Sequence, residues 1–210
     1  NVLITGPNAG GKSTLIKSLG ISLLMSQTIG IAFADSLQFT PFHVLNSYLN
    51  IPDCKGKESL FEAEMHRSLG HINQCKEMPM QNKSFIIMDE IFSSTNPNEG
   101  ISGAYAIAKK MASFKNSVCI ITTHFNQLTR IESDGEFKNY KIPCEYDSMN
   151  KITYPYKLME GVSDQNIALE LLLAKGFDND IIETAKKISG ELSDAVVADA
   201  VVADAVVADA

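Results

Sequence analysis

Several features that define other classes of protein are missing from this sequence. No C-x-x-C spacing relates its four cysteines, so neither a zinc site nor a disulfide framework is indicated for Cys54, Cys75, Cys119 and Cys144. No apolar run is long enough to cross a bilayer, and no signal peptide is visible. We therefore expect a reducing, intracellular location, in the cytoplasm or in the nucleus or nucleoid, without membrane association.

The sequence also has little positive charge. Its formal net charge is −7 over 210 residues, and four of the negative charges are aspartates of a repetitive tail, namely Asp194, Asp199, Asp204 and Asp209. Because the remaining residues still carry a net negative charge, a domain that binds nucleic acid by itself is not indicated.

The domain organisation follows from these same features. The tail, residues 193–210, repeats Asp-Ala-Val-Val-Ala and is interpreted as low-complexity sequence. Residues 1–192 have the length and composition of one domain. Since there is no initiator methionine and a strand pattern begins at residue 2, we expect the domain to be cut from a longer protein on its N-terminal side.

A glycine-rich segment near the start of the chain predicts a phosphate site. The pattern G-x-x-x-x-G-K-[ST] is formed by Gly6, Pro7, Asn8, Ala9, Gly10, Gly11, Lys12 and Ser13. An apolar run at 2–4 precedes it and a helical pattern at 12–25 follows, which is the strand–loop–helix context that this motif requires. Lys12 would reach the β- and γ-phosphates, Ser13 would bind Mg²⁺, and Thr14 would contact a phosphate further back.

Two continuous apolar runs end in residues suited to catalysis. The run 84–88 stops at Asp89 and Glu90, and the run 118–122 stops before His124. Such runs are typical of strands buried on both faces of a parallel sheet, and ligands gather at the carboxyl ends of these strands. Asp89 would hold Mg²⁺, Glu90 would orient or deprotonate an attacking water, and His124 would donate to the γ-phosphate.

The rest of the pattern predicts a layered α/β fold. We expect strands near 37–39 and at 44–49, and helices at 60–77 and 101–114, the first with Leu60, Phe61, Met65, Leu69 and Ile72 on one side. Two extended stretches, 138–146 and 151–158, predict an antiparallel hairpin. Two helices, 165–174 and 178–188, would finish the domain, the second with Asp178 as its N-cap.

Several motifs in order resemble the ATPase domain of the MutS family of DNA mismatch repair proteins. They are TGPNAGGKST at 5–14, SLFEAEM at 59–65, MDEI at 88–91, GIS at 100–102, TTHFNQL at 122–128 and EGVS at 160–163. The resemblance continues to about residue 192, so it covers the chain except the tail. The Gly-Pro-Asn phosphate loop together with Ser-x-Phe-x-x-Glu-Met is far more specific than a phosphate loop alone.

The resemblance implies an ABC-type P-loop ATPase that uses ATP and Mg²⁺ and acts as a dimer with composite sites. Ser59 would then approach the γ-phosphate bound by a second MutS-like subunit, identical or different, and it would also suit the N-cap of the following helix. The helical pair at 165–188 would lie at the dimer interface. DNA would be bound through domains outside this chain, in mismatch repair or in recombination.

The sequence departs from the family at two places. Ala9 stands where the family often has Met, and residues 92–96 replace a Gly-rich segment that contains Arg. An aromatic that usually holds the adenine precedes the phosphate loop in the family, and Tyr156 is a candidate substitute in this chain.

Three alternatives to a MutS-like motor domain stay open at this point. A transporter-like or chromosome-organising ABC ATPase would carry a Leu-Ser-Gly-Gly-Gln-like signature, which is missing. A nucleotide-gated binding module that scarcely hydrolyses ATP is disfavoured by Glu90. A small-molecule kinase would transfer the phosphate to an acceptor rather than to water.

Overall fold

The structure is a computed structural model that describes residues 1–49, 51, 59–148, 151–163, 167, 169, 171–172 and 175–188. The chain divides into two compact units, Asn1–Gln165 and Asn166–Ala210. Within the described residues, no helix is both long and apolar enough to cross a membrane. The described cysteines, Cys75, Cys119 and Cys144, are all buried.

In the part that the structure describes, the first unit is built around a six-stranded, mostly parallel sheet. Its elements in chain order are β1 (Val2–Thr5), α1 (Lys12–Ile29), β2 (Val44–Tyr48), α2 (Leu60–Glu77), β3 (Ser84–Asp89), α3 (Pro97–Ala112), β4 (Ser117–Thr122), a 3₁₀ helix (Asn126–Asp134), β5 (Lys138–Lys141), β6 (Glu145–Tyr146), β7 (Ile152–Thr153) and β8 (Met159–Glu160). The strand order is β2-β3-β4-β1-β5-β8, with β8 antiparallel to β5. The predicted α/β class is therefore confirmed.

Both faces of the sheet are covered, as the continuous apolar runs predict. Along β3, Phe85 and Ile87 belong to one hydrophobic cluster, whereas Ile86 and Met88 belong to another. This alternation follows from the twofold period of a strand. The first cluster includes residues of α1, such as Ile16, and the second includes residues of α2 and α3. The helices thus hold β1, β3 and β4 in the middle of the unit.

The starts of the two central helices are set by their capping residues. Ser59 caps α2 in a capping box, because its side chain accepts from the Glu62 N–H while the Glu62 carboxylate accepts from the Ser59 N–H. Asn96 caps α3, and Pro97 occupies its first turn, where a missing N–H costs nothing. The helix predicted at 101–114 therefore begins four residues earlier.

The predicted apolar side of α2 is confirmed at Ile72, which is buried, and at Phe61, which packs against the core, but it is wrong at Met65 and Leu69. Met65 is 40% exposed and Leu69 is 52% exposed, whereas the buried face carries polar side chains as well as apolar ones. That buried face consists of Glu64, Ser68, His71, Ile72 and Cys75. The prediction failed at these two positions because it considered only apolar residues, whereas this helix also buries a carboxylate and a histidine.

Two predictions about strands need correction. Residues 37–39 do not form a strand, and their backbone pairs with no strand of the described sheet. Phe39 is held by its side chain, whose ring stacks on that of Phe42. The predicted hairpin is reduced to the short pair β6 and β7. Its first stretch begins instead as β5, which pairs parallel to the free edge of β1. The pairing continues just beyond β5, where the Ile142 N–H donates to the Thr5 carbonyl.

The described residues of the second unit are mainly helical. Residues 179–188 are helical, and the N–H groups of Ile181 and Ile182 bond to the Asp178 carbonyl, which places Asp178 at the start of this helix as predicted. Residues 169, 171 and 172 are helical within the predicted 165–174 segment. The other residues of that segment, other than 167, and the whole tail lie outside the described residues.

Candidate nucleotide-binding site

The phosphate loop connects β1 to α1 through backbone conformations that few residues adopt. Gly6 has a φ of +152° and Gly11 one of +90°. A Cβ at Gly6 would lie 2.6 Å from the Ile142 carbonyl oxygen, and one at Gly11 would lie 2.9 Å from the Tyr156 ring. Both positions therefore require glycine. No side chain caps the first turn of α1, so its N–H groups remain available to an anion.

Lys12 is buried at the base of this loop, with a relative exposure of only 4%. Its ammonium donates hydrogen bonds to the carbonyl oxygens of Gly6, at 3.0 Å, and Pro7, at 3.3 Å. The same ammonium lies 3.7 Å from Oε1 of Glu90. The neighbouring Ser13 is half-buried and Thr14 is exposed, both in the first turn of α1. The loop thus surrounds its cation while leaving two hydroxyl side chains beside it.

The acidic pair lies where β3 ends, as predicted. The Thr122 hydroxyl of β4 donates to Oδ1 of Asp89, which fixes that carboxylate. The Glu90 N–H bonds to the Thr122 carbonyl at 3.0 Å, and the backbone then turns into the left-handed region with a φ of +51° at Glu90. This conformation costs a non-glycine residue about 1–2 kcal/mol. Such a conformation persists only where the surrounding structure enforces it.

His124 lies on the other side of Glu90 from Lys12. Its Nδ1 is 3.7 Å from Oε2 of Glu90, and its side chain is 43% exposed. The preceding Thr123 is anchored by a 3.0 Å bond from its N–H to the Ile4 carbonyl. Lys12, Glu90 and His124 therefore form a row across the carboxyl ends of β1, β3 and β4.

The side chains of His124 and Lys12 change the pKa of Glu90. The imidazole of His124 beside the carboxylate lowers the pKa of Glu90, and Lys12 adds to the effect, although partial burial opposes it. The pKa of Glu90 therefore lies below its usual range, and the side chain is a carboxylate at neutral pH. An ionised acid at this position can accept a hydrogen bond or a proton from water.

A cavity beside the loop contains the predicted aromatic. It has a volume of about 410 Å³ and is lined by Gly10, Gly11, Thr14, Leu15, Ile142 and Tyr156. Tyr156 is 67% exposed, and its ring lies 6.1 Å from that of Tyr154 in a stacked arrangement. The structure thus brings Tyr156 to the phosphate loop, although the two are far apart in sequence.

Comparison with known families agrees with this geometry. A family described as MutS domain V matches residues 2–193. The chain belongs to the MutS family. Similar curated proteins include the DNA mismatch repair protein MSH2 of Zea mays, 28% identical over 91% of this chain and 21% of that protein. The DNA mismatch repair protein MutS of Petrotoga mobilis is 28% identical over 93% of this chain and 23% of its own length.

Another relative shows the same partial coverage. The DNA mismatch repair protein Msh2 of Dictyostelium discoideum is 31% identical over 90% of this chain and 20% of its own length. The chain therefore spans about a fifth of the length of these curated MutS relatives.

Two further residues that the resemblance singles out lie in described segments of this MutS domain. Ser59 is exposed at the start of α2, and its hydrogen bonds with Glu62 form the capping box. Ala9, where the resemblance leads one to expect Met, has a φ of +66° within the phosphate loop. Among the described residues, no cluster of three or more His, Cys, Asp or Glu side chains could hold a metal ion.

The sequence did not predict a set of buried contacts behind the acidic pair of the MutS domain. They involve Tyr48, Phe61, Glu64, Phe92 and Ser94. Glu64 lies in the Ser-x-Phe-x-x-Glu-Met motif, but a charged residue on a helix is normally read as exposed. Only the actual phase of α2 shows that this carboxylate is buried.

Proposed function

We propose that this MutS domain binds ATP with Mg²⁺ and hydrolyses it, as an ABC-type P-loop ATPase. The observation that supports this most directly is the row formed by Lys12, Glu90 and His124 next to the glycine-rich loop. Hydrolysis of a γ-phosphate needs a cation for the developing charge and a carboxylate for the attacking water. The row supplies both, because Lys12 Nζ lies 3.7 Å from one carboxylate oxygen of Glu90 and His124 Nδ1 lies 3.7 Å from the other.

The loop would bind the polyphosphate and the adjoining cavity would take the base. The N–H groups of the first turn of α1, from Lys12 to Thr14, together with the Lys12 ammonium, provide donors and positive potential for phosphate oxygens. Tyr156 offers an exposed ring beside Gly11, against which adenine could stack. Thr14 borders the same cavity and would contact a phosphate nearer the base.

Ser13 and Asp89 are the residues that fit Mg²⁺. A hydroxyl and a carboxylate are oxygen ligands of the kind that Mg²⁺ prefers, with phosphate oxygens and waters completing its shell. The hydrogen bond from Thr122 holds Asp89 in place at the end of β3. When bound, Mg²⁺ would neutralise charge on the phosphates. Ser13 lies at the start of α1 and Asp89 at the end of β3. Because the fold fixes both positions, these two side chains would orient the nucleotide.

Glu90 and His124 would divide the remaining chemistry. Glu90 would accept a hydrogen bond from the attacking water, orient it for in-line attack, and take its proton. The lowered pKa of Glu90 keeps it ionised for this role. His124, partly exposed at the same edge, would donate to the γ-phosphate.

The active unit in this proposal is a dimer. Ser59 is exposed at the N-terminus of α2, where free helix N–H groups could approach the γ-phosphate bound by a partner subunit. The helical segment 165–188 would contribute to the interface. DNA would be contacted by segments outside this chain, since the chain spans about a fifth of relatives that are named DNA mismatch repair proteins.

Phosphate release from ATP by the 210-residue chain, with and without Mg²⁺, tests the proposal. We expect Mg²⁺-dependent turnover whose rate per chain rises with protein concentration and then saturates. Glu90→Gln should keep ATP affinity but retain unhydrolysed ATP, with a turnover at least about a hundredfold lower. Glu77→Gln makes the same charge change at an exposed site of α2 and serves as the control.

The alternatives give different results in the same assay. Tight ATP binding without Mg²⁺-dependent turnover, unaffected by Glu90→Gln, would indicate a nucleotide-gated binding module. Transfer of phosphate to a nucleoside or metabolite without release of free phosphate would indicate a kinase. Either result would refute the proposal that this domain hydrolyses ATP.

A further inference from the structure

A buried carboxylate links α2 to the segment that follows Glu90. Glu64 is 4% exposed, in the second turn of α2. The Ser94 hydroxyl donates to its Oε2 at 2.6 Å. Burying a carboxylate is costly unless hydrogen bonds compensate, so this contact ties the position of Ser94 to that of α2.

Tyr48 joins the same group from the end of β2. Its side chain is 2% exposed, and its hydroxyl accepts a bond from the Phe92 N–H at 3.4 Å. Burial raises the pKa of Tyr48 well above its usual value, and the negative charge of Glu64 raises it further. The tyrosine therefore stays protonated, which lets it lie next to Glu64 without a second negative charge.

Phe92 provides an apolar contact between the same elements. Its ring meets that of Phe61 edge to face, with centroids 5.3 Å apart and planes at 72°. A Cβ at Gly103 of α3 would come within 2.8 Å of the Phe92 ring, so the ring fills the space up to that helix. Phe92 is 5% exposed and is held between α2 and α3.

The backbone between these contacts and Glu90 is tightly constrained. Glu90 has a φ of +51° and Phe92 one of +56°, both in the left-handed region that side chains disfavour. Neither conformation is expected unless neighbouring contacts hold it. The contacts that hold this segment include those of Phe92 and Ser94 with α2 and the Tyr48 hydroxyl, in addition to the bond between Glu90 and Thr122.

We propose that Glu64 is a positioning residue that couples the placement of α2 to the placement of Glu90, acting through Ser94 and supported by the contact between Phe61 and Phe92. This rests on the proposed function, in which Glu90 acts on water and Ser59 meets a nucleotide on the partner subunit. Ser59 and Glu64 both lie at the start of α2, about 7.5 Å apart along the helix axis. Movement of that helix on dimer closure would therefore shift the segment carrying Glu90.

Steady-state ATP turnover of four variants tests the coupling. Ser94→Ala and Glu64→Ala should each lower kcat about tenfold or more, with KM for ATP changed by less than about twofold, because the buried Glu64 has no role in holding nucleotide in this proposal. Glu64→Gln keeps an oxygen that accepts from Ser94 and should restore most of the activity. Ser93→Ala, a neighbouring exposed serine, should leave kcat unchanged.

Combined variants show whether the effect passes through the proposed route. Since Glu64 and Ser94 act as one contact, the double variant should be no slower than Glu64→Ala alone. In a Glu90→Gln background, Ser94→Ala should cause no further loss in single-turnover experiments. Multiplying losses, or a loss confined to KM, would refute the coupling, and so would unchanged kcat in Ser94→Ala.

Hydrogen exchange separates this inference from the proposed ATPase activity. Ser94→Ala changes an exposed loop residue, so the fold should persist, yet amide exchange should rise both in residues 91–95 and in the first turns of α2. Ser93→Ala should change neither. If the unmodified chain hydrolyses no ATP, the proposed function fails. The coupling is then judged by exchange alone and fails if α2 is unaffected.

Discussion

Phe92 allows a test of the strained segment behind the candidate catalytic acid. Truncating its buried side chain to Ala or Gly should cost about 3–5 kcal/mol of stability, since either change leaves a cavity between α2 and α3. The two truncations differ in the backbone. With a φ of +56°, alanine keeps a left-handed penalty of about 1–2 kcal/mol that glycine avoids. Glycine loses about 0.5–1 kcal/mol through the greater freedom of its unfolded chain.

At the centres of these two ranges, the balance makes Phe92→Gly more stable than Phe92→Ala by about 0.75 kcal/mol. Phe85 in β3 is a matched control, because it is also 5% exposed but lies in a regular strand. There, Phe85→Gly should be less stable than Phe85→Ala by a similar amount. Urea unfolding followed by far-UV circular dichroism gives the four values.

The order of the variants decides the outcome. If Phe92→Ala is as stable as Phe92→Gly or more stable, the segment after Glu90 is not held in a left-handed conformation. In that case α2 would not constrain Glu90 through this segment. The comparison needs no ATPase activity, so it tests the structure independently of the function.

Three further predictions concern the site itself. His124 is the main cause of the low pKa of Glu90, so His124→Ala should raise that pKa and move the acid limb of the kcat–pH profile to higher pH. Lys12 remains and limits the size of the shift. An unmoved limb would refute the assignment of Glu90 as the group that accepts the proton. Tyr156→Ala should weaken binding of ATP about tenfold while affecting triphosphate alone little, as measured by competition with a fluorescent nucleotide. Ser59→Ala should leave ATP binding intact and lower turnover, and in mixed dimers the defect should appear at the partner's site rather than at its own.

The pH dependence of stability follows from the same carboxylate. The folded-state pKa of Glu90 is depressed, so its contribution to stability is present above the unfolded pKa of about 4.3 and is lost as the pH falls through the folded value. At neutral pH the contribution is complete. Acid unfolding of Glu90→Gln should therefore lack this component.

The parts of the site that sequence could predict are those defined by short segments. The phosphate loop and the acids at the end of β3 are local patterns, and the fold places β1, β3 and β4 side by side, which brings Lys12, Glu90 and His124 together. Parallel strands with helical crossovers make that arrangement predictable. The local patterns therefore predict that these side chains lie at one edge of the sheet.

Other parts depended on contacts that no local pattern specifies. The stretch expected to form one arm of a hairpin joined β1 as β5, because backbone pairing with a distant strand outweighed the nearby turn. The buried face of α2 includes Glu64, which is stabilised by a hydroxyl donor from 30 positions further along the chain. Left-handed values at Glu90 and Phe92 likewise arise from packing, since neither residue type favours them.

Phe92 and Ser94 also mark where this chain departs from the Gly-rich segment that the family resemblance suggests. Glycines would adopt the left-handed conformation without strain, but they would offer no ring to Phe61 and no hydroxyl to Glu64. In this sequence, Phe92 therefore has a strained backbone conformation, while the side chains of Phe92 and Ser94 contact α2 directly. Communication between α2 and Glu90 would then pass within one subunit through packed side chains, and replacing residues 92–94 with glycines should loosen it while leaving the phosphate loop intact.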